Sequence, residues 1–227
     1  MNNPWLTIPL SDYEGHMALP EVGQAEMLAG ELKTLLSIHS PRSVALIGCA
    51  GGNGFVQAAE ARLTRLVGID INESYIEDSR RRYADIIPGL ELHCADIAGD
   101  VPKMEAVDFV YAALIFEYVD VTAALRNIAM LCRPNGLLAV LLQLPKQGAE
   151  AVTPSPFTSL KELGSIMRLV PPGKFNESAV HQGFSCMAQK TISLQSGKQF
   201  SLQLFRLIST RPQGDETNGA AGKHEAA

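Results

Sequence analysis

Residues 44–55 read VALIGCAGGNGF, four apolar side chains followed by a stretch from which side chains have almost vanished. A continuous apolar run suits a strand covered on both faces, as in a parallel sheet packed between helices. Where such a strand ends in a glycine-rich turn before a helix, bare amides and a helix N-terminus face whatever binds at the sheet's carboxyl edge. The chain must therefore fold so that something approaches this bend closely. Gly48, Ala50, Gly52 and Gly54 are spaced by two, giving GxAxGxG, and Gly51 adds a further open position. The dinucleotide fingerprint GxGxxG is not met.

Residues 43–48, 65–70, 90–94, 107–112 and 136–143 are short apolar, often β-branched runs, separated by helix-length segments or loops. Residues 53–64, 73–85 and 120–132 carry the apolar spacing of helices, with Asn72 or Ser74 able to cap the second and Asp120 the third. Pro134-Asn135-Gly136 turns the chain into the fifth strand. This alternation predicts a βαβ series, and 227 residues allow one domain with a large core rather than two independent ones.

The C-terminal portion changes character. Residues 185–194 and 198–209 are strand-like and joined by Gln195-Ser196-Gly197, a hairpin signal that only antiparallel strands use. Residues 145–182 carry Phe157, Leu160, Leu163, Ile166, Met167 and Val170 at helical spacing, flanked by Pro154, Pro156, Pro171 and Pro172. They predict a helix bounded by loops over the ligand end of the sheet. The first 40 residues stand outside the βαβ series: polar, turn-rich DYEGHMALPEVGQ precedes a helical Ala25–Ile38, which predicts a lid or leading helix. Residues 211–227 hold no large apolar side chain and predict a disordered tail.

Further segments follow the glycine-rich bend in order. GIDIN ends a second strand at Asp70, HCADI ends a third at Asp96, VDFVYAALIFEYV supplies a fourth, and LCRPNGLLAVLL holds the helix-turn-strand of the fifth. Over residues 40–208 this set resembles the class I S-adenosylmethionine-dependent methyltransferases of small-molecule type, whose first motif is a strand followed by GxGxG, with alanine a familiar stand-in. The resemblance implies an α/β fold: a Rossmann-like, doubly wound, seven-stranded sheet, mostly parallel with an antiparallel C-terminal hairpin, and helices on both faces. It divides the chain into a leading lid over 1–40, a cofactor domain over 41–210 with an acceptor-pocket insertion at 145–182, and the tail.

The same resemblance implies S-adenosyl-L-methionine as cofactor, held along Gly48, Cys49, Ala50, Gly52 and Asn53. Asp70 would accept both ribose hydroxyls, the plain alternative being a solvated or capping aspartate. Asp96 would meet the adenine amino group, or simply cap a turn, with Ile71 and Ile97 as walls for the ring. The backbone from Ala112 to Leu114, including Ala113, would border the methionyl part, and Tyr111 would pack.

Methyl transfer from a sulfonium is an in-line displacement, so the protein must hold a nucleophile behind the methyl carbon and exclude water. A base is needed only where the acceptor must lose a proton. The candidates are Tyr13 and His16 in DYEGHM and Glu117 and Tyr118 in IFEYVD. His16 leads, because imidazole titrates near neutrality and its segment reads as a mobile cover; a hydrogen-bonded structural histidine is the alternative. Related methyltransferases often have Glu-His where this chain has Glu117-Tyr118, a departure that favours a structural role for Glu117 over a catalytic one. Tyr13 or Trp5 could face the sulfonium through a cation–π contact. Gln24 could bond the cofactor carboxylate or the acceptor, and Phe157, Met167, Phe175 and His181 could complete the acceptor pocket.

A net charge of −5 with no basic stripe argues against nucleic acid as a partner. No apolar run approaches the roughly 20 residues that span a bilayer, and the N-terminus lacks a signal-peptide pattern, so a cytoplasmic protein is expected, off the membrane. Cys49, Cys94, Cys132 and Cys186 are scattered in apolar stretches without metal-ligand spacing, so buried free thiols and no metal are expected. The expected partner is a small-molecule acceptor, and a homodimer is left open. Two other readings stand beside the enzyme: an inactive S-adenosylmethionine-binding regulatory protein, and a nicotinamide-dependent reductase, disfavoured by the glycine spacing and the closing hairpin.

Overall fold

The computed structural model describes residues 3–146 and 152–208, so the tail expected at 211–227 lies outside the described residues. A 3-10 turn at Pro4–Leu6 leads into α1 (Leu10–Met17) and α2 (Gln24–His39). There follow β1 (Ser43–Ile47), α3 (Phe55–Glu60), β2 (Arg65–Asp70), α4 (Glu73–Tyr83), β3 (Leu90–Cys94), β4 (Val107–Ala113), α5 (Val121–Leu131) and β5 (Cys132–Gln143). A second 3-10 turn at Thr158–Glu162, α6 (Leu163–Ile166), α7 (Pro172–His181), β6 (Phe184–Ser193) and β7 (Gln199–Leu207) complete the order.

The strands form one seven-stranded sheet in the order β3-β2-β1-β4-β5-β7-β6. Strands β1 to β5 pair in parallel, and β7 is antiparallel to both β5 and β6. This is the doubly wound, mostly parallel sheet with an antiparallel closing hairpin that the sequence predicts. From β1 the chain winds outward through β2 and β3, then returns to β4 on the other side of β1. The connections diverge there and leave a crevice beyond the carboxyl ends of the strands.

Strand β1 explains its own apolar run. Val44 and Leu46 pack with Leu32 and Leu36 of α2, Phe55 of α3 and Ile76 of α4. Ala45 and Ile47 face the opposite layer, with Leu125 and Ile128 of α5 and Phe175 of α7. Side chains alternate between faces, and both faces are covered, so the run from Val44 to Ile47 is apolar throughout. Each fully buried leucine or phenylalanine in these layers contributes about 1.5–3 kcal/mol. The predicted caps form: Asn72 Oδ1 accepts from Ser74 N at 3.0 Å, and Asp120 Oδ1 accepts from Ala123 N at 2.7 Å.

Several boundaries differ from expectation for identifiable reasons. The first crossover helix is only Phe55–Glu60, shorter than 53–64, because the glycine bend runs on to Gly54. β5 starts at Cys132, already paired with Val107, and a bulge between Val107 and Phe109 absorbs the Pro134-Asn135-Gly136 turn. The single helix expected across 157–170 is a 3-10 turn plus one turn of α6, broken where Arg168 N donates to Glu117 O at 2.8 Å. Helix α7 was not expected: Pro172, read as a terminator, stands at its start, where a missing N–H costs nothing.

DYEGHM is helical rather than a turn, with Leu10 and Tyr13 packed on Ala50 and Tyr75. Gly15 fits there because the ring of Phe157 occupies the space where a Cβ would stand. All four cysteines are free, but only Cys49 and Cys132 are buried. Cys94 and Cys186 are exposed, since β3 and β6 are the two edges of the sheet.

Candidate active site

The bend after β1 is fixed by β2. Gly48 N and Cys49 N donate to Ile69 O at 2.8 and 3.2 Å. Ala50 has φ 45°, a left-handed conformation that strains a residue with a Cβ. It is held by Asp70, whose Oδ2 accepts from Ala50 N at 2.8 Å while Oδ1 accepts from Asn72 N at 2.9 Å. Asp70 thus fastens the end of β2 to the bend, and each oxygen has a further lone pair for a ligand. Burial raises its carboxyl above the ordinary range, opposed by the bonds from the Asn72 and Ala50 amides.

The protein itself uses much of the space that the missing side chains leave. A Cβ on Gly51 would stand 2.6 Å from Leu10 and 2.7 Å from Glu14, both on α1, and one on Gly52 would enter the Tyr83 ring of α4. At Gly48 the neighbour is the tip of Ile115 at 3.2 Å. The bend therefore serves two ends: Gly51 and Gly52 admit α1 and α4, while Gly48 and Ala50 floor the crevice.

That crevice holds about 1190 Å³ of atom-free space, partly open to solvent. Many of the residues singled out in the sequence line it, among them Tyr13, His16, Gly48, Ala50, Asp70, Ile71, Asp96, Ile97 and Ala113. Trp5, Gln24, Tyr118 and Met167 join them. Asp96 is exposed, with Oδ1 accepting from Ala98 N at 2.9 Å as a turn cap does, which leaves its other oxygen open. Cys49, Gly52 and Asn53 line an adjoining cavity under α2 instead, which shares Tyr13, Met17, Leu28, Ile47, Gly48 and Ala113 as walls with the crevice. Tyr111 packs, its hydroxyl donating to Leu28 O at 2.9 Å.

Four of the expected pocket residues stand elsewhere. Glu117 lies behind the wall, 1% exposed, with Oε1 accepting from Gln143 N at 2.7 Å at the end of β5. Burial pushes its carboxyl up to about 7, and Oε2 has no partner among the described residues. Phe175 is in the core against Phe116, Phe157 packs with Ile8 and Leu160, and His181 is an exposed residue ending α7.

The N-terminal segment roofs the crevice and is sewn to the sheet. Tyr75 donates to Ile8 O at 2.9 Å, Asn72 Nδ2 to Trp5 O at 2.8 Å, and Asn53 Nδ2 to the Tyr13 hydroxyl at 2.8 Å. Arg82 pairs with Glu14 and also donates to Gly51 O at 3.1 Å. Trp5 stands edge-on to Tyr13 and Tyr118, with ring centroids 5.8 and 5.2 Å apart. The 3-10 turn and α6 close the same roof through Leu160 and Leu163.

Three polar atoms in this lining are buried without a partner among the described residues: Trp5 Nε1, His16 Nδ1 and Thr153 Oγ1. His16 is 7% exposed, and burial, reinforced by Lys198, holds its imidazole below the ordinary value. A neutral imidazole with an unengaged nitrogen can take a proton. Thr153 and the buried Lys198 were missed in the sequence. Lys198 follows the Gln195-Ser196-Gly197 turn, where a lone lysine reads as solvated.

The fold and the crevice define a class I methyltransferase architecture, and residues 46–140 match the family model described as a methyltransferase domain. The match is to a methyltransferase domain and is confined to those residues, less than half of the chain. No curated protein matches the chain significantly by sequence. Among solved structures, it is similar to the N-methyltransferase NodS from Bradyrhizobium japonicum WM9 in complex with S-adenosyl-L-homocysteine, at 17% identity and TM-score 0.64, covering 92% of this chain and 100% of that one. Magnesium protoporphyrin IX methyltransferase from Synechocystis PCC 6803, with S-adenosylhomocysteine bound, gives 15% identity and TM-score 0.68 over 89% and 96% of the two chains. The [4+2]-cyclase SpnF gives 12% identity and TM-score 0.63 over 80% of each chain. Among the described residues no group of acidic, histidine or cysteine side chains could hold a metal, and no helix is long and apolar enough to cross a membrane.

Proposed function

We propose that the protein transfers the methyl group of S-adenosylmethionine to a small-molecule acceptor by in-line displacement. The observation that carries this reading is the pairing of a crevice floored by Gly48 and Ala50 with the Asp70 carboxylate at its rim and an unengaged His16 nitrogen in its wall. Asp70 would hold the ribose hydroxyls, Ile71 and Ile97 would wall the adenine, and Asp96 would take its amino group. Ala113 and the bend border the methionyl portion. The apolar walls exclude water, which removes competing hydrolysis and strengthens the remaining electrostatic contacts.

When bound, the cofactor supplies an electrophilic methyl carbon on a sulfonium. The chain's own residues then have three tasks: orientation of the acceptor, exclusion of water, and removal of a proton by His16 where the acceptor bears one. Residues 3–40 act as the lid that must part for entry, and 152–167 complete the acceptor side. The environment we propose is cytoplasmic, with no nucleic acid as partner.

The [4+2]-cyclase among the structural neighbours has the same fold under a different activity, so methyl transfer has to be tested apart from cofactor binding. Calorimetric titration with S-adenosylmethionine and S-adenosylhomocysteine tests the first half of the proposal, and saturable binding of both is expected. A methyl-release screen over small phenols, amines and carboxylates tests the second half. Binding without turnover on any acceptor would favour the regulatory reading; binding of neither cofactor form would end both.

A further inference from the structure

We infer that the acceptor carries a carboxylate on an otherwise apolar, ring-sized body, and that Lys198 anchors it. This rests on the methyl-transfer reading and adds the chemical class of the acceptor. Lys198 is 7% exposed and lines the crevice, although a lysine in a hairpin turn ordinarily reaches solvent. It follows the β6–β7 turn and lines the crevice together with Gln143 and Thr153. Lys146 is near enough for repulsion to lower the Lys198 pKa further below what burial does. A lysine ammonium in the crevice wall, with the second positive charge of Lys146 outside it, favours an anion on the crevice side.

Position separates this end from the cofactor. Asp70 and the bend belong to β2 and β1, whereas Lys198 enters from beyond β5, past β4 in the sheet order. The sheet thus places acidic groups, Asp70 and Asp96, at one end of the crevice and a buried cation at the other. Between them the walls are apolar or aromatic: Trp5, Ile115, Tyr118, Leu160, Leu163 and Met167. The indole N–H of Trp5 and the hydroxyl of Thr153 are donors in this same lining with no partner among the described residues. A carboxylate has four lone-pair sites, and an ammonium with three N–H donors can keep a protein partner and still donate to a ligand. A flat apolar body between the rings, with one anionic end, satisfies all of these groups together.

The test uses the full chain. S-adenosylhomocysteine is titrated first, since its failure to bind wild-type protein would strike the methyl-transfer reading itself. Protein saturated with it is then titrated with benzoate, 3-phenylpropanoate and indole-3-acetate, and with the corresponding primary amides. At least one acid is expected to bind ten- to hundredfold more tightly than its amide, the size of one desolvated charge-assisted bond. Lys198→Met should abolish that difference while leaving S-adenosylhomocysteine affinity within about twofold, and Lys198→Arg should preserve a preference for the acid. Retained cofactor binding shows that each variant is folded. Three results would overturn the inference: no acid in the set binds; acid and amide bind wild-type protein equally; or Lys198→Met weakens S-adenosylhomocysteine itself tenfold, which would assign the lysine to the cofactor's methionyl carboxylate.

Discussion

The two ends of the crevice are built in different ways. The end on β1, β2 and β4 is made of backbone: the bend at Gly48 and Ala50, held through Gly48 N by Ile69 O and through Ala50 N by the Asp70 carboxylate, within a stretch of chain from 44 to 72. The other end is made of side chains gathered from far apart in sequence, with Trp5 and His16 from the N-terminus, Tyr118 after β4, Thr153 before the second 3-10 turn, and Lys198 from the closing hairpin. A bend of bare amides fits a ligand that is common to many proteins, and a side-chain assembly can vary without disturbing it. Substitutions should therefore separate: those at one end should change cofactor affinity, and those at the other should change turnover or acceptor preference.

His16→Ala is the most severe test of that separation. Loss of a positioned base costs roughly 10²–10⁴-fold in rate, so single-turnover methyl transfer should fall by that factor while cofactor affinity stays unchanged. Burial and Lys198 keep the imidazole below its ordinary pKa, so activity should hold through neutral pH and fall only on acidification below it. An undiminished rate would leave His16 as a structural residue.

Glu117 lies behind the acceptor end, and its effect should be on stability rather than chemistry. An ordinary glutamate titrates at 4.5 and burial pushes this one to about 7. Between those values the folded chain keeps a proton that the unfolded chain has released, so stability falls as pH rises through the window. The difference corresponds to about 3 kcal/mol at pH 7 and above. Glu117→Gln keeps an acceptor for Gln143 N and removes the titration. Urea unfolding at pH 4.5, 6 and 8 should show a variant that gains on wild type as pH rises, by up to about 3 kcal/mol. Parallel stability curves for the two proteins would contradict the assignment.

Asp70→Ala probes the opposite end. Removing charge-assisted bonds to the ribose hydroxyls should cost roughly 1.5–3 kcal/mol of cofactor binding, about ten- to hundredfold in affinity. Acceptor-side readouts, such as the ratio of rates on two acceptors at saturating cofactor, should not move. An affinity equal to wild type would confine Asp70 to fastening Ala50 and Asn72.

The same division decides what could be read from residues alone. The βαβ order, the mixed edge, the caps at Asn72 and Asp120, and the alignment of Asp70 with the bend follow from local patterns of turn, period and spacing. The acceptor end was legible only in part. His16 and Tyr13 were noticed for their chemistry, but their helix was not, because Gly15 suits it only once Phe157 is in place. Glu117 reads as a pocket residue from its place after β4, yet its side chain turns to Gln143 N, a bond across 26 positions. Lys198 carries no local sign of burial, and only the tertiary fold brings its charge near enough to act on His16.

Tyr13→Phe tests the seam between the two ends and should have the smallest effect. Tyr13 lines both the crevice and the cavity under α2, and its hydroxyl accepts from Asn53 in the bend at 2.8 Å. The ring contacts with Trp5 and Tyr75 survive the substitution, so the roof keeps its packing and loses one hydrogen bond, worth about 0.5–1.5 kcal/mol. Because three other bonds still hold the segment, through Ile8, Trp5 and Glu14, the loss should appear as local opening rather than global unfolding. Hydrogen exchange in residues 10–17 and 50–54 should quicken by up to about tenfold, while exchange in β4 and β5 stays fixed. Saturating S-adenosylhomocysteine should restore protection at 50–54, since the ligand holds the bend from the other side. Equal acceleration across the whole sheet would mean that the roof and the bend are one cooperative unit, and the two ends of the crevice could not then be altered separately.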